Sequence, residues 1–316
     1  MPRRSPTVAP ELRAHQEWLG YLQPVGLVVA PAAIRDAGWV LTRSGSDLVE
    51  RQQRYRDALE PLNPAEEADL DDNGLGFSHL NDLLMEHLGW SEDQIRSDPT
   101  QLEAYTRALP ELGETLKPTA VIPAVTGHGA QMLVKELAPL TPLDRKTSDG
   151  EHVWRATPQE RFERLLRETG VEAGLLFNGG QLRLVVAPKG ESSGHLTFPL
   201  QELAEVSGRL MFSALDLLLG QSRVFFDPDG ARLADVLKAS RSFQAVVSNT
   251  LADQVLSALW DLLRGFAQAP THPAPRENAA EFHSGREPAT ALRRFDHGVD
   301  APGVSALRGR HGLDAC

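Results

Sequence analysis

Along the chain the spacing of apolar residues changes from a helical period to a strand-like one. The clearest helix is predicted over residues 78–88, where four leucines share one face: Leu80, Leu83, Leu84 and Leu88. Segments 10–22, 47–59 and 100–112 also fit helices, although they are more polar. We therefore predict a mainly helical section over residues 1–116.

The pattern becomes strand-like after residue 117. Segments 119–125 and 131–137 are predicted strands, and the short Gly127-His128-Gly129 sequence between them fits a hairpin loop. Residues 117–220 are therefore expected to hold the sheet. Residues 221–269 are predicted to be a helical connector, with one long helix or two over 231–266.

The segment around residue 160 has the strongest local signals. Thr157 and Glu160 have the spacing of a capping box, and Pro158 stands at the first helical position. Gly170 is a typical C-terminal stop. An apolar strand is predicted over 173–177, and it is followed by a tight Asn178-Gly179-Gly180 turn and a return strand over 182–186.

Residues 270–316 have no sustained apolar period and contain several prolines. Such a segment cannot bury enough surface to offset the entropy of ordering, so a disordered tail is predicted. The alternative is a stretch translated out of frame, because a GC-rich frame entered by a frameshift would give this composition.

Composition narrows the class of protein. The chain has 316 residues, 41% of them hydrophobic, and a net charge of −11, which does not favour a stand-alone nucleic-acid binder. Its one cysteine, Cys316, allows no disulfide within the chain. The first residues lack the apolar segment of a secretory signal, and no run is long enough to cross a membrane. We expect a cytoplasmic protein.

The sequences LLRETG, GLLFNG and LRLVVAP, followed by LTFP, carry a family resemblance. Over residues 15–269 the chain resembles the N-terminal region of large bacterial DNA adenine methyltransferases. These are the type IIG-like restriction-modification enzymes and the methyltransferases of DISARM-type phage-defence systems. The resemblance implies a restriction-endonuclease-like α/β core ahead of a methyltransferase domain that uses S-adenosylmethionine. DNA and other defence-system subunits are the partners it implies.

Methyltransferase motifs are not visible in this chain. An adenine-N6 methyltransferase holds its target amine with an Asn-Pro-Pro-Tyr/Phe tetrapeptide, whereas the Asn63-Pro64 pair is followed by Ala65. Gly74-Leu75-Gly76-Phe77 follows an acidic loop rather than a strand, so it fits a turn better than a cofactor-binding loop. No cofactor-binding residue is predicted here.

A nuclease of the implied type needs an acidic residue on one strand and Asp/Glu-x-Lys on the next, to hold Mg²⁺ and assist the attacking water. Lys135 and Glu136 are weak candidates, because their order is reversed. The preceding predicted strand carries no acid, and Asp144 lies beyond in a loop. We therefore predict neither a catalytic residue nor a metal ligand.

Other polar groups fit ordinary surface roles. Three scattered histidines lack metal-ligand spacing: His128, His152 and His195. Three arginines on one predicted helix could contact phosphates, but interleaved glutamates favour a salt-bridged helix: Arg161, Arg164 and Arg167 with Glu160, Glu163 and Glu168. The 189–194 loop could bind an anion or merely connect strands, and Ser192 and Ser193 lack a nucleophile motif.

Three interpretations follow. The first is a truncated N-terminal part of a methyltransferase-type restriction-modification or phage-defence protein, inactive alone. The second is a stand-alone, non-enzymatic accessory protein that binds DNA or a partner subunit. The third is an active Mg²⁺ nuclease.

Overall fold

The computed structural model describes residues 10–63, 74–146 and 154–268. The chain divides into two compact units, Met1–Asp261 and Leu262–Cys316. In the second unit, only the end of the last helix falls within the described residues. The predictions for residues 64–73 and 270–316 lie outside them.

Helices dominate the first part of the chain, as predicted. They are α1 (Pro10–Tyr21), α2 (Pro31–Asp36), α3 (Ser46–Ala58) and α4 (Leu80–Asp82), the last continuing into a π-helical turn, Leu83–His87. The four leucines predicted to share a face are all buried. The widened turn was not predicted, because the apolar spacing of a helix hardly changes over one turn.

The helix predicted over residues 100–112 is wrong. Helix α5 (Pro99–Glu103) ends early, and a hairpin follows, formed by β3 (Arg107–Leu109) and β4 (Glu114–Leu116). A 3-10 turn, Pro110–Leu112, and left-handed Gly113 connect the two strands. Pro110 has no N–H to donate within a helix, which disfavours a continuous one. A second small pair joins β1 (Glu60–Pro61) to β2 (Leu75–Gly76).

The centre of the protein is a five-stranded mixed sheet. Its strands lie in chain order: β5 (Ala120–Pro123), β6 (Ala130–Glu136), β7 (Ala173–Phe177), β8 (Gln181–Val186) and β9 (Gly194–Pro199). Only β6 and β7 are parallel, because helix α6 (Pro158–Thr169) connects them, while the other neighbours are antiparallel. The predicted mixed α/β architecture is therefore confirmed. Strand β9 was not predicted, since alternating His195 and Thr197 weaken its apolar signal.

Each face of the sheet packs against a different layer. One face, which we call the helical-layer face, packs against α1 to α4 and against the later helices α7 (Leu200–Leu203), α8 (Arg209–Leu219) and the start of α9 (Leu233–Gln268). A π-helical turn, Ser222–Phe226, follows α8. The opposite face, here the α6 face, packs against α6, α5 and the β3–β4 hairpin. Side chains alternate between the two faces along every strand. In the described part of the chain, no helix has the length and apolar character needed to cross a membrane.

Candidate functional site

An arginine lies in the otherwise apolar strand β8. Leu182 and Leu184 enter the core of the helical-layer face, so Arg183 points to the α6 face. Its side chain is 7% exposed. A guanidinium this deeply buried needs hydrogen-bond acceptors around it, because an unpaired buried charge is costly.

Asp144 is the main acceptor. Arg183 donates two hydrogen bonds to its carboxylate, at 2.8 Å from Nη1 and 2.5 Å from Nη2, in the bidentate geometry that arginine and carboxylate prefer. Arg183 Nε also donates to Thr197 Oγ1 at 3.1 Å. The hydrogen bonds from Arg183 hold the pKa of Asp144 below its usual range. Because the Asp144 side chain is 67% exposed, the pair ties a surface segment to the sheet.

The Asn178 turn holds the same segment from the other side. Asn178 is buried, and its Oδ1 accepts hydrogen bonds from the backbone N–H groups of Gly180 at 3.2 Å and Gln181 at 2.7 Å. Its Nδ2 donates to the carbonyl oxygen of Thr141 at 2.9 Å. The predicted turn is confirmed, and it also anchors the chain that leads to Asp144.

An open groove of about 660 Å³ lies beside this network. We call it the Arg183 groove. Its polar lining residues carry both donors and acceptors: Asp144, Arg145, Asn178, Gln181, Arg183, Gln201, Glu202 and Glu205. The lining contains three carboxylates and two guanidinium groups, so the groove does not present a continuous positively charged surface. This chemistry fits a ligand with both donors and acceptors better than a chain of phosphates.

His195 lies on β9, near the Arg183–Asp144 pair, and forms an isolated backbone bridge with Val25. It is buried, and desolvation followed by the charge of Arg183 lowers its pKa. The imidazole is therefore neutral at neutral pH, with its titration displaced to more acidic values.

The glycine-containing segment 74–77 packs against the Asn178 turn. Phe77 N–H donates to the carbonyl oxygen of Gly179 at 3.1 Å. A Cβ atom at Gly76 would lie 2.1 Å from the same oxygen. Glycine is needed here for close backbone approach, which accounts for the motif without a cofactor.

The two nuclease candidates lie on opposite faces of the sheet. Lys135 is on the α6 face, where its Nζ donates to the Lys117 carbonyl oxygen at 3.1 Å. Glu136 is on the helical-layer face, where its carboxylate accepts from Leu80 N–H at 3.2 Å. Burial lowers the pKa of Lys135 and raises that of Glu136. Consecutive residues on a strand cannot converge on one metal ion.

The remaining candidates have ordinary partners or stand apart. The α6 arginines face carboxylates: Arg161 with Glu114, Arg164 with Glu168, and Arg167 with Glu163. Ser193 Oγ donates to Glu163 at 2.6 Å, while Ser192 and His128 are exposed. His152 lies outside the described residues. Among the residues with described positions, no group of three His, Cys, Asp or Glu side chains could hold a metal ion.

Comparison with known proteins identifies no relative: no family model matches the chain, and no curated protein or solved structure is similar to it. The restriction-endonuclease-like core and the methyltransferase resemblance therefore stay predictions.

Sequence reasoning did not identify the Arg183–Asp144 pair. It placed Asp144 in a loop after β6 and considered it only in relation to a metal site. A signal was nevertheless present, since Arg183 is the single charged residue of a strand that is otherwise apolar after its first position. A charged group in such a position requires a partner from elsewhere in the fold.

Proposed function

We propose that this chain is a non-cleaving, nuclease-like α/β region of a DNA methyltransferase-type restriction-modification or phage-defence protein, and that it acts by binding a partner subunit. One observation carries the non-cleaving part of this proposal. Lys135 and Glu136 occupy opposite sheet faces, so they cannot share the metal and water of a nuclease site.

The family part of the proposal draws support from where the resembling sequences lie. LLRETG is the end of α6 and its glycine cap, GLLFNG is β7 with its turn, and LRLVVAP is β8. These residues form the crossover, the buried turn and the arginine-bearing strand. A shared pattern at such positions is what a common fold would require, and it says nothing about catalysis.

Charge favours a protein partner over DNA. Binding to the phosphates of DNA needs lysine or arginine side chains that are available to contact them. The arginines of α6 instead form ion pairs with carboxylates. Glu202 and Glu205 in the Arg183 groove would repel a phosphate backbone. A protein surface with mixed donors and acceptors suits this lining better, as in the polar rims of protein interfaces.

Activity assays test the non-cleaving part. The purified chain is incubated with plasmid DNA and Mg²⁺ or Mn²⁺, and separately with labelled S-adenosylmethionine. We expect neither cleavage nor methyl transfer. Metal-dependent cleavage that disappears in the Lys135→Ala/Glu136→Ala variant would contradict the proposal in favour of the nuclease interpretation.

Binding assays test the choice of partner. Calorimetry against a purified phage-defence methyltransferase subunit is compared with fluorescence anisotropy on duplex DNA at low and moderate salt. Glu205→Lys should weaken the protein complex, whereas Glu50→Lys, at an exposed position of α3 outside the groove lining, should not. Tight, salt-sensitive binding to DNA with no protein complex would favour the DNA-binding accessory interpretation.

A further inference from the structure

A second cavity, of about 250 Å³, lies on the helical side of the molecule, away from the Arg183 groove. Its lining residues come from α3, from the π-helical turn Leu83–His87 and from α8: Arg51, Arg54, Ala58, Glu86, His87 and Phe212. The three residues of α3 are three and four positions apart, so they share one face of that helix. Widened turns such as the one that supplies the glutamate and the histidine are frequent at functional sites.

Two exposed side chains of opposite charge, Arg54 and Glu86, line this cavity. In the part of the chain that the structure describes, neither side chain forms a hydrogen bond or an ion pair. Arg51 differs, because it donates two hydrogen bonds to the Asp216 carboxylate, at 3.1 Å from Nη1 and 2.6 Å from Nη2, and its charge is compensated there. The charges left for a ligand are therefore one positive and one negative, which is the complement of a zwitterion.

The remaining lining is neutral. Phe212 is buried and Ala58 is partly buried, and both offer apolar surface. The His87 ring meets Tyr55 edge-on, with ring centroids 5.4 Å apart, and burial lowers the pKa of His87, so the imidazole is uncharged at neutral pH. Its Nε2 is buried without a hydrogen-bond partner among the described residues. Since an unsatisfied buried polar atom is costly, a polar ligand group bound against this ring would be favoured.

We propose that this cavity binds a free α-amino acid with an apolar side chain. The ligand carboxylate pairs with Arg54, its ammonium group pairs with Glu86, and its side chain packs against Phe212. The size agrees, because a cavity of about 150 Å³ holds benzene. At about 250 Å³ this one has room for an apolar side chain together with the two charged groups. A simple anion would fit less well, since Glu86 would repel it. This proposal is independent of the proposed function.

Isothermal titration calorimetry of the full chain with L-leucine and with L-phenylalanine tests the binding. We expect at least one of them to bind with a dissociation constant of about 0.1–1 mM. For the amino acid that binds, the N-acetyl derivative lacks the ammonium group and the corresponding decarboxylated amine lacks the carboxylate. Each analogue should bind at least ~10-fold more weakly, because each loses one of the two ion pairs.

Two substitutions locate the site. Arg54→Gln and Glu86→Gln should each raise the dissociation constant at least ~10-fold. Arg155→Gln and Glu103→Gln are the matched controls, because both residues are exposed and lie outside the cavity lining, and they should bind as the unmodified chain does.

Circular dichroism and melting temperature distinguish loss of binding from loss of folding. Since Arg54 and Glu86 are exposed, both variants should melt as the controls do. Absence of binding by both amino acids up to about 10 mM would overturn the proposal. So would binding that both cavity variants leave unchanged, or an N-acetyl derivative that binds as tightly as the free amino acid.

Discussion

Replacing Asp144 with alanine should destabilise the protein more than replacing its partner Arg183 with methionine. Asp144→Ala leaves a guanidinium that is 7% exposed without its bidentate acceptor. Arg183→Met leaves a carboxylate that is 67% exposed, and water can solvate that group. Methionine can pack against the apolar residues of the α6 face, and the exposed carboxylate left behind needs no buried partner.

Breaking a fully buried ion pair by removing one partner costs about 3–5 kcal/mol. Asp144 is largely exposed, so solvent screening reduces the value of this pair and water can enter the space left by the carboxylate. Thr197 and Gln159 remain as acceptors near the guanidinium. We therefore expect about 2 kcal/mol for Asp144→Ala and less than about 1 kcal/mol for Arg183→Met.

Urea denaturation followed by circular dichroism measures both changes. With a slope of about 2–3 kcal/mol/M, Asp144→Ala should lower the midpoint by roughly 0.7–1 M. The double variant should resemble Arg183→Met alone, because no buried charge is left to destabilise it. Asp36→Ala is the control. Both side chains of its ion pair with Arg35 are exposed, so the pair should contribute under about 0.5 kcal/mol to the free energy of unfolding.

Two results would refute this reasoning. If Asp144→Ala changed stability no more than Asp36→Ala, water would satisfy the guanidinium fully, and Arg183 would not depend on the loop. If Arg183→Met were the more damaging change, the arginine would contribute packing or hydrogen bonds that outweigh the cost of its burial.

Further predictions concern the turn, the helix cap and the histidines. Gly76→Ala should cost about 1–3 kcal/mol in urea titrations, because its Cβ would overlap a backbone oxygen, whereas Gly20→Ala in open space within α1 should be neutral or stabilising. Thr157→Ala should lose about 0.5–2 kcal/mol, measured in the same way, by removing the capping box of α6. Burial lowers the folded-state pKa of His87 and of His195, so their neutral forms are favoured by folding. The stability that these neutral histidines contribute should be fully present above the unfolded-state pKa of about 6.5 and be lost as the pH falls through their lower folded-state pKa values. A melting temperature that did not fall over this pH range would contradict the prediction.

Elements with local determinants were predictable from the sequence. The Thr157 side chain accepts from Glu160 N–H at 3.0 Å, and the Glu160 carboxylate accepts from Thr157 N–H at 2.7 Å, as the capping-box spacing predicts. Gly170 adopts the left-handed conformation expected of a helix stop. These features depend on residues no more than a few positions apart, so no knowledge of tertiary structure was needed.

Elements that depend on distant partners were not predictable in the same way. Strand β9 has hydrogen bonds to β8 on one side and a single bridge at Val25 on the other. Neither contact can be predicted from the short sequence of β9 itself. The segment predicted as a helix over 100–112 ends in the first strand of the β3–β4 hairpin, because packing beneath α6 outweighs weak helical periodicity. The Arg183–Asp144 pair spans 39 positions and forms only when the sheet is assembled.

The same distinction bears on function. The resembling sequences coincide with the locally determined elements α6, β7 and β8, so they are signals of architecture. Chemical candidates taken from neighbouring positions, such as Lys135 and Glu136, are separated by the alternation of a strand. The polar network with a specific geometry instead unites Asp144, Gln159, Arg183 and Thr197, which come from four separate segments. A binding role at the Arg183 groove is therefore the more economical hypothesis, since it uses the groups that the fold brings together rather than those that it separates.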